Sequence, residues 1–474
     1  MVNAARWLRR DIGAEFSGAR LGDARRSNRL QSVARVTEDA PKVGFPQMVE
    51  TDGELEGIYR FLRNEDVTAG AILAPPIAAT MQRAQQVGHC LVLHDTTAFE
   101  FSGAREDLGL TNGNGQGFYA HFALAVLPGL ARIPLGVCGL DLINRKVRKD
   151  TERKRHSYYI AQDPKRESLR WLRVVESIEL QREGFDCIHV MDREGDMYDL
   201  MALAKRLDTR FIIRGDDERA LADAPGSTMR DLLAQTKRRA HRKVLVNKRE
   251  PKRRELIKPR RGVRRKQRIA RLSVGSHVVQ IRRPGTSKVP ERSLTVNVVH
   301  VWEPKPPKGE DALEWILFTT EAVDTPEQLH AVVDNYQSRW VIEEFFKALK
   351  TGCAFEKRQL ESFHALSNAL AVFSVVAWRM LLARSVARAQ PHAGAGTVLT
   401  KTQLRLVQHK LKLTKLPATA REAAFAVARL GGHLKRNGDP GWLTLGRGFE
   451  RLIFLEAGWH AAAAHFSKGD VINP

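Results

Sequence analysis

The sequence contains little cysteine. Four cysteines are spread over 474 residues, with no Cys-x-x-Cys pair and no histidine pair at zinc-finger spacing. Dispersed cysteines of this kind argue against a disulfide scaffold and against a structural zinc site. The four residues are Cys90, Cys138, Cys187 and Cys353.

Long apolar segments are missing as well. The longest uninterrupted ones, around residues 124–127 and 369–378, fall short of the roughly 20 residues that a membrane-spanning helix needs. The first residues show no apolar core of the kind that a secretory signal has. These features predict a soluble cytoplasmic protein, associated with the nucleoid if its partner is DNA and without a membrane partner.

Acidic residues are few compared with basic ones. The chain has 77 Lys+Arg against 54 Asp+Glu, a formal net charge of +23. An excess of this size indicates a polyanionic partner, with nucleic acid as the first candidate and an anionic membrane surface as the second. Residues 237–271 alone hold 18 basic residues and two acidic ones. This segment is either a phosphate-binding arm or a solvated run of charge, and we favour DNA contact.

The N-terminal residues 1–68 have a helical pattern. Asp23 is a candidate N-cap for a helix over 24–36, and a second helix fits 53–64. Small basic helices are typical of a DNA-docking module, and a solvated basic face is the alternative. The arginines that these helices present are Arg25, Arg26, Arg29 and Arg60.

A strand-like period begins at residue 89 and predicts an α/β core. A strand ending at Asp95 is followed, after further strands and a helix, by a strand ending at Asp192. Residues 216–315 carry alternating stretches that predict a mostly β insertion, whereas residues 353–474 are helical in pattern. Ligands gather at strand ends in such sheets, so both aspartates are candidate site residues.

A helix capped by Thr325 is predicted to run to about Lys350. Five of its residues recur at spacings of 3, 4, 4 and 3, which places them on one face of a continuous helix. Alone, this stripe is compatible with an ordinary salt-bridged surface. The one acid of the stripe, Glu343, and the two strand-end aspartates make a set of three carboxylates. Two-metal phosphoryl transfer requires such a set. The stripe consists of Tyr336, Arg339, Glu343, Lys347 and Lys350.

These residues carry a resemblance to a known family. The pattern Tyr336-x2-Arg339-x3-Glu343-x6-Lys350 matches the Y-R-E-K signature of the cut-and-paste DDE transposases of the insertion sequence four family. The chain resembles their Tn-five-type members over nearly its whole length. Further matching segments are Leu-Gly-Asp-Ala-Arg-Arg at 21–26, Tyr-Arg-Phe-Leu-Arg-Asn at 59–64, His-Asp-Thr-Thr at 94–97, Asp-Arg-Glu at 192–194 and Ala-Arg-Leu-Gly-Gly at 428–432.

The resemblance implies a fold and an activity. A helical DNA-binding domain at 1–68 would precede a ribonuclease-H-like α/β catalytic domain at 69–368, with its β insertion at about 216–315. A helical domain at 369–474 would pair two protomers into a homodimeric synaptic complex. The implied activity is metal-dependent cleavage and joining of DNA through a nick, a hairpin, its resolution and strand transfer. The implied DNA partners are double-stranded transposon ends and target DNA.

The resemblance also assigns site residues. Asp95, Asp192 and Glu343 would be the catalytic, metal-binding triad for Mg²⁺, with Mn²⁺ as a substitute. Two departures weaken individual assignments: the basic arm is longer than the family pattern, and Phe346 stands where that pattern has histidine. DNA contacts are implied for Arg25, Arg26, Arg29, Arg60, Arg214, Trp315, Tyr336, Arg339, Lys347 and Lys350.

Two classes of function stay open at this point. The chain is either an active transposase or an inactive relative that occupies transposon ends and represses transposition. The intact triad favours the enzyme, because a decayed copy is expected to lose an acid. A plain ribonuclease-H-like nuclease is a third possibility, and the helical ends of the chain argue against it.

Overall fold

The computed structural model describes residues 4–103, 105, 107–113, 115–145, 166–246, 267–434 and 438–467. The chain divides into two compact units. Unit 1 comprises Met1–Lys154, Leu180–Asp186 and Trp340–Pro474, and unit 2 comprises Arg155–Glu179 and Cys187–Arg339.

Most helices lie in the N-terminal and C-terminal parts of the chain, as the sequence predicts. In chain order the helices of the described residues are α1 (Ala5–Leu8), α2 (Ala24–Asp39), α3 (Asp52–Arg63), α4 (Ala69–Val87), α5 (Arg170–Gln181), α6 (Tyr198–Arg206), α7 (Met229–Leu233), α8 (Pro326–Gln337), α9 (Trp340–Lys347), α10 (Phe363–Ala389), α11 (Lys401–Lys410), α12 (Ala420–Leu430) and α13 (Trp442–Ser467).

Strands occupy the middle of the chain. They are β1 (His89–Glu100), β2 (Gly109–Leu110), β3 (Gln116–Val126), β4 (Pro134–Ile143), β5 (Asp186–Met191), β6 (Arg210–Arg214), β7 (Ala240–Val246), β8 (Arg268–Arg282), β9 (Ser293–Trp302) and β10 (Glu314–Thr319).

Helix α2 begins where the sequence predicts. The Asp23 carboxylate accepts a hydrogen bond from the Arg25 N–H at 2.7 Å and so satisfies one of the donors that a helix start leaves unpaired. Leu30, Val33 and Ala34 are buried, which leaves the arginines on the outer face. The helix continues to Asp39, about one turn beyond the predicted end.

In unit 1, β3 pairs antiparallel with β1, β2 and β4. The predicted end of the first strand at Asp95 is wrong, because β1 continues to Glu100. The residues after Asp95 include Thr96, Thr97 and Phe99, which favour extended backbone and pair along β3. Asp95 therefore lies near the middle of β1, opposite β3.

In unit 2, β5 and β6 are parallel and are joined through α6. The strand order is β5-β6-β10-β9-β8-β7, and every pair after the first is antiparallel. The described residues of the range 216–315 contain β7, β8, β9 and the start of β10, together with the short helix α7. These strands extend the sheet that holds β5 and β6, because β10 pairs directly with β6. Three antiparallel strands followed by a parallel strand–helix–strand unit fit a ribonuclease-H-like fold.

The prediction of one helix from Thr325 to Lys350 is wrong in part. Thr325 and Gln328 form the predicted capping box at the start of α8. The Ser338 hydroxyl then donates to the Asp334 carbonyl, and the Arg339 N–H bonds only three residues back. This local tightening ends α8 at Gln337 and separates it from α9.

The five-residue stripe is therefore not one face of a continuous helix. Tyr336 is buried at the end of α8, whereas Lys347 is exposed at the end of α9. Tyr336 and Arg339 belong to unit 2, and the other three residues belong to unit 1.

Helix α10 is the central helix of unit 1. By length and composition it could cross a membrane, but 94% of its most apolar window is buried inside the protein. The Asn368 amide donates to the carbonyls of Leu62 and Val67, and Arg379 pairs with Glu38. These contacts with the N-terminal helices explain its apolar composition as that of a core helix.

Candidate active site

Asp95 is held by the backbone of β1. It pairs with Phe122 of β3, and opposite residues in an antiparallel ladder point to the same face of the sheet. The flanking residues His94 and Thr96 point to the other face. The Asp95 carboxylate is half-buried, and its Oδ1 accepts a hydrogen bond from the Thr96 N–H at 2.8 Å. The carboxylate is thus oriented before any ligand binds.

Two buried histidines support the opposite face of β1. His94 Nδ1 and His121 Nε2 are 3.4 Å apart, and the two rings stack with their centroids 5.6 Å apart. His121 Nδ1 lies 2.9 Å from the Thr96 hydroxyl oxygen. Because alternation along the strand turns His94 away from Asp95, we assign this pair to holding the strand rather than to chemistry.

Glu343 lies on α9, which packs on the face of the sheet to which Asp95 points. The Phe346 and Phe345 rings lie 6.0 and 5.2 Å from the ring of Phe122, the ladder partner of Asp95. Phe346 follows Glu343 by three residues, so the two share one side of the helix. Phe346, the departure from the family pattern, thus anchors the helix that carries Glu343.

The neighbouring acid, Glu344, has a different environment. Its carboxylate accepts hydrogen bonds from Lys347 Nζ and Trp442 Nε1, each at 2.7 Å, and from Arg384. Burial raises the pKa of Glu344, but these donors outweigh burial and lower that pKa to about 2. Glu344 therefore joins α9 to α10 and α13, which supports the choice of Glu343 as the functional acid.

Lys350 follows α9 in a short π-helical turn. Its ammonium group donates to the carbonyl of Ala98 on β1 and lies 3.4 Å from the Glu356 carboxylate. The same group lies 5.3 Å from the centre of the Phe99 ring. Lys350 is therefore fixed beside β1, three residues beyond Asp95.

In unit 2, Asp192 directly follows β5, as the sequence predicts. Its half-buried side chain accepts a hydrogen bond from the Glu194 N–H at 2.9 Å. The Glu194 carboxylate pairs with Arg170 at 2.5 Å. Asp192 therefore caps a short turn, and the carboxylate of Glu194 in the same turn binds Arg170 on α5.

Asp196 anchors the loop that carries Asp192. Its carboxylate accepts hydrogen bonds from Arg219 Nε at 2.7 Å and from the Asp216 N–H at 2.8 Å. Burial raises the pKa of Asp196, and the Arg219 guanidinium opposes that rise. These bonds join the loop after β5 to the loop after β6. Sequence reasoning missed these bonds, because partners 20 and 23 residues apart leave no local signal.

Four of the predicted DNA-contact residues meet near Asp192 in unit 2. Tyr336 is buried, and its ring centroid lies 5.9 Å from that of Trp315 with an interplanar angle of 59°. Burial raises the pKa of the Tyr336 hydroxyl. The charges of Arg214 and Arg339 oppose that rise, whereas the charge of Asp192 adds to it. Tyr336 therefore packs against Trp315 and lies within electrostatic reach of Asp192 and of both arginines.

Arg214 is the cation of this cluster with unused donor capacity. It hydrogen-bonds to Tyr336, and its Nη2 lies 3.5 Å from the Glu314 carbonyl oxygen. Within the described part of the chain, its buried Nε–H has no hydrogen-bond partner. An unpaired guanidinium donor next to an aromatic pair suits a phosphate oxygen as ligand.

Two predicted DNA-contact residues of the N-terminal helices are exposed, and neither forms an ion pair with another residue that the structure describes. Arg25 and Arg29 both lie on the outer face of α2. The Arg29 guanidinium lies over Gly57 of α3, where an added Cβ would be 2.9 Å from its Cζ. The absence of a side chain at Gly57 thus makes room for Arg29 between the two helices.

The other two predicted N-terminal contacts are paired with acids. Arg26 is partly buried and pairs with Asp66 at 2.7 Å. Arg60 pairs with Glu56 at 2.7 Å, and both side chains are more than 70% exposed. Exposed pairs of this kind contribute little to stability, so Arg60 can exchange its partner for a phosphate.

A basic groove runs along β7 and β8 in unit 2. Arg242 and Arg268 at this groove are paired with Asp334 and with Glu303. The middle of the predicted basic arm, 247–266, lies outside the described residues. The exposed cations that line the groove are Arg238, Lys243, Arg271 and Lys305.

The three predicted metal ligands fit a hard divalent cation in their chemistry. Asp95, Asp192 and Glu343 offer only carboxylate oxygens, and each side chain is half-buried. Mg²⁺ and Mn²⁺ take oxygen ligands of this kind and keep bound water. Asp95 and Glu343 belong to unit 1 and Asp192 belongs to unit 2.

The chain matches two family models. Residues 7–67 match the model described as transposase DNA-binding, and residues 170–377 match the one described as transposase DDE domain. The chain therefore carries both of these transposase domains. These two domains support a DNA transposase that cleaves and joins DNA. Asp192 and Glu343 lie inside the second match, and Asp95 lies between the two.

A solved structure also resembles the chain at a low level. It is the cryo-EM structure of a piggyBac transposase synaptic complex with hairpin DNA. The TM-score is 0.35 at 8% sequence identity, over 82% of this chain and 75% of the other. A likeness this weak carries no argument about this chain.

Proposed function

We propose that this protein is a cut-and-paste transposase of the insertion sequence four family. It binds the ends of its element, nicks them, forms and resolves a hairpin, and joins the excised ends to target DNA. The observation that carries the proposal is the DDE-domain match over residues 170–377, which contains Asp192 and Glu343. The net charge of +23 supports a DNA partner.

Asp95, Asp192 and Glu343 form the catalytic triad in this proposal and would hold Mg²⁺, or Mn²⁺ in its place. When bound, such ions would activate the attacking oxygen and stabilise the leaving oxygen of a phosphoryl transfer. The protein contributes orientation. The Thr96 N–H fixes Asp95, the turn after β5 fixes Asp192, and packing on Phe122 fixes the helix of Glu343.

The cluster around Tyr336 binds the cleaved DNA end in this proposal. Because burial raises the pKa of Tyr336, its hydroxyl stays protonated at neutral pH and can donate to a phosphate oxygen. Arg214 and Arg339 supply positive charge beside it, and Trp315 supplies an aromatic face.

Lys347 and Lys350 complete the DNA-end contacts from unit 1. Each is held near an acid, Glu344 or Glu356, at 2.7 and 3.4 Å. The Lys347 side chain is exposed, so a phosphate can replace the carboxylate as its partner.

Three functional regions follow from the same proposal. Residues 1–68 recognise the transposon end, residues 69–368 carry the chemistry with a β insertion at 216–315, and residues 369–474 pair two protomers in a synaptic dimer. These regions are functional divisions and differ from the two compact units. The exposed Arg25 and Arg29, with Arg26 and Arg60, supply the end contacts. The protein acts in the cytoplasm on nucleoid DNA.

The test is a cleavage assay on the element's own ends. Purified protein is incubated with end DNA and Mg²⁺, and the products are separated on a denaturing gel. The proposal predicts nicked, hairpin and joined products that disappear when EDTA replaces Mg²⁺. Tight binding of the ends without any cleavage, in Mg²⁺ or in Mn²⁺, would identify the protein as an end-binding repressor instead.

A further inference from the structure

Strand β5 carries a cluster of metal-binding side chains that the transposase activity does not use. Cys187 and His189 are two residues apart on β5, so both point to one face of the strand. Glu179 reaches them from α5. The ligand atoms of these three residues all lie within 4.8 Å of one another, so the group could hold a metal ion.

The three ligand atoms are close to one another. Glu179 Oε1 lies 3.0 Å from His189 Nε2 and 3.3 Å from Cys187 Sγ, and the sulfur lies 3.7 Å from the same nitrogen. Zinc bonds of about 2.3 Å to sulfur and about 2.0–2.2 Å to nitrogen and oxygen, at tetrahedral angles, give ligand separations of about 3.3–3.6 Å. Shifts of a few tenths of an ångström would bring the cluster to that geometry.

The cluster is also buried. The His189 side chain is 1% exposed and that of Glu179 is 4% exposed, and Cys187 is buried beside them. A dication bound by one thiolate, one carboxylate and one neutral imidazole leaves the site with no net charge. Neutrality matters here, because burial of uncompensated charge is costly.

We propose that Glu179, Cys187 and His189 form a structural zinc site in unit 2. Binding forms bonds from the metal to sulfur, oxygen and Nε2 and releases the thiol proton to solvent. A water molecule completes the tetrahedron. This proposal departs from the sequence prediction against a structural zinc site. That prediction considered Cys-x-x-Cys pairs and zinc-finger spacing, whereas this site combines a Cys-x-His strand with a distant helix.

The site fixes α5 to the strand that delivers Asp192. Cys187 and His189 occupy one face of β5, and Asp192 follows the strand after Met191. A thiolate ligand selects zinc over magnesium, because Mg²⁺ prefers oxygen ligands. The zinc site and the catalytic triad are therefore separate in both ligand set and metal.

The first test measures bound metal in tag-free full-length protein. The protein is purified without chelator, dialysed against buffer containing micromolar Zn²⁺ and then against metal-free buffer, and analysed by elemental mass spectrometry. The proposal predicts about one zinc per chain. Cobalt loaded in its place should give a thiolate-to-cobalt charge-transfer band. Absence of both signals from the folded wild-type protein would overturn the proposal and leave the cluster as a hydrogen-bonded part of the core.

Variants then assign the ligands. Cys187→Ser should abolish the charge-transfer band, and His189→Ala and Glu179→Gln should each weaken metal affinity by at least the roughly 10–100-fold that loss of an outer-sphere partner costs. Cys138→Ser is the matched control, because Cys138 is also a buried cysteine but lies on β4 in unit 1. Wild-type zinc content in Cys187→Ser would place the metal elsewhere and overturn the proposal.

The same measurement of bound zinc distinguishes the zinc site from the catalytic site. Asp192→Asn should retain one zinc per chain even where it has lost DNA cleavage. Melting curves with and without EDTA provide a readout that does not depend on activity: EDTA should lower the melting temperature of the wild type and of Cys138→Ser, but not that of Cys187→Ser. Equal melting curves for the wild type with and without EDTA, at one zinc per chain before chelation, would contradict a structural role.

Discussion

The ring of Trp315 lies 5.9 Å from the ring of Tyr336 and is inclined to it by 59°, and the Tyr336 hydroxyl lies within electrostatic reach of Asp192. Trp315 is half-buried, whereas Tyr336 is buried. One face of the indole is thus supported by a fixed aromatic, which is how a platform for an unstacked base would be built.

Trp315→Ala should separate two steps of the reaction. Hairpin formation bends the DNA sharply and takes a base out of its stack, and an aromatic platform recovers about 1–3 kcal/mol of that cost. The first nick needs no such distortion. The variant should therefore nick at nearly the wild-type rate and form hairpin roughly 10–100-fold more slowly, since about 1.4 kcal/mol is tenfold in rate.

Trp302→Ala is the control for this variant, because Trp302 is a half-buried tryptophan on the adjacent strand β9. It should leave both steps unchanged. Time courses of nicked and hairpin DNA, with melting curves of both variants, provide the measurement. If Trp315→Ala lost both steps in parallel and melted early, Trp315 would be a core residue and the platform role would be wrong.

Glu344→Gln should cost stability. The Glu344 carboxylate accepts hydrogen bonds from Lys347, Trp442 and Arg384, and a hydrogen bond to a charged group contributes about 1.5–3 kcal/mol. Because Glu344 is partly exposed, we expect a smaller effect: Glu344→Gln should lower the free energy of unfolding in urea by about 1–2 kcal/mol.

The contribution of the Glu344 carboxylate to stability should depend on pH. Because the folded pKa of Glu344 is about 2 and the ordinary value is 4.5, its contribution is complete above pH 4.5 and is lost as pH falls toward 2. The stability difference between wild type and Glu344→Gln should therefore shrink over that window. A difference that stayed constant from pH 5 to pH 3 would mean that the carboxylate is not the stabilising group.

Arg29→Ala should weaken binding to the specific transposon end more than binding to random duplex. The guanidinium is exposed but positioned over Gly57, so it can read the DNA from a defined place. Gly57→Ala, which keeps the charge and displaces the guanidinium, should reproduce part of the loss. Binding of both duplexes by fluorescence anisotropy decides this. An unchanged specific-to-random ratio in Arg29→Ala would remove this residue from end recognition.

The basic groove along β7 and β8 should instead determine a sequence-independent affinity. A triple alanine variant of Arg238, Lys243 and Arg271 should lower the magnitude of the slope of log affinity against log salt by up to about 3, because each phosphate contact contributes roughly 0.9. Specific and random duplex should be affected alike. If the variant lost the preference for the specific end, the roles of the groove and of α2 would be reversed.

Local signals in the sequence located much of the fold and several site residues. The Asp23 cap, the capping box at Thr325 and the strand before Asp192 are confirmed, because each depends on neighbours within a few residues. The position of Asp192 at a strand end follows from the same kind of local pattern.

The features that the sequence did not reveal depend on long-range pairing. Asp95 was expected at a strand end, but pairing with β3 extends β1 beyond it. The break between α8 and α9 depends on the Ser338 hydroxyl, which competes with the helical ladder. The anchoring of Asp196 by Arg219 and the cluster at Cys187 each join residues from different elements. Periodicity contains no information on such contacts.

The central claim is that three carboxylates perform metal-dependent DNA cleavage, and the nicking of end DNA by Asp192→Asn tests it most directly. Glu194→Gln is the matched control, because Glu194 is an acid of the same turn whose carboxylate pairs with Arg170. With Mg²⁺ and equal DNA binding, Asp192→Asn, Asp95→Asn and Glu343→Gln should each show no nicking above background, while Glu194→Gln nicks as the wild type does. Mg²⁺-dependent nicking by Asp192→Asn at a rate near that of Glu194→Gln would contradict the account.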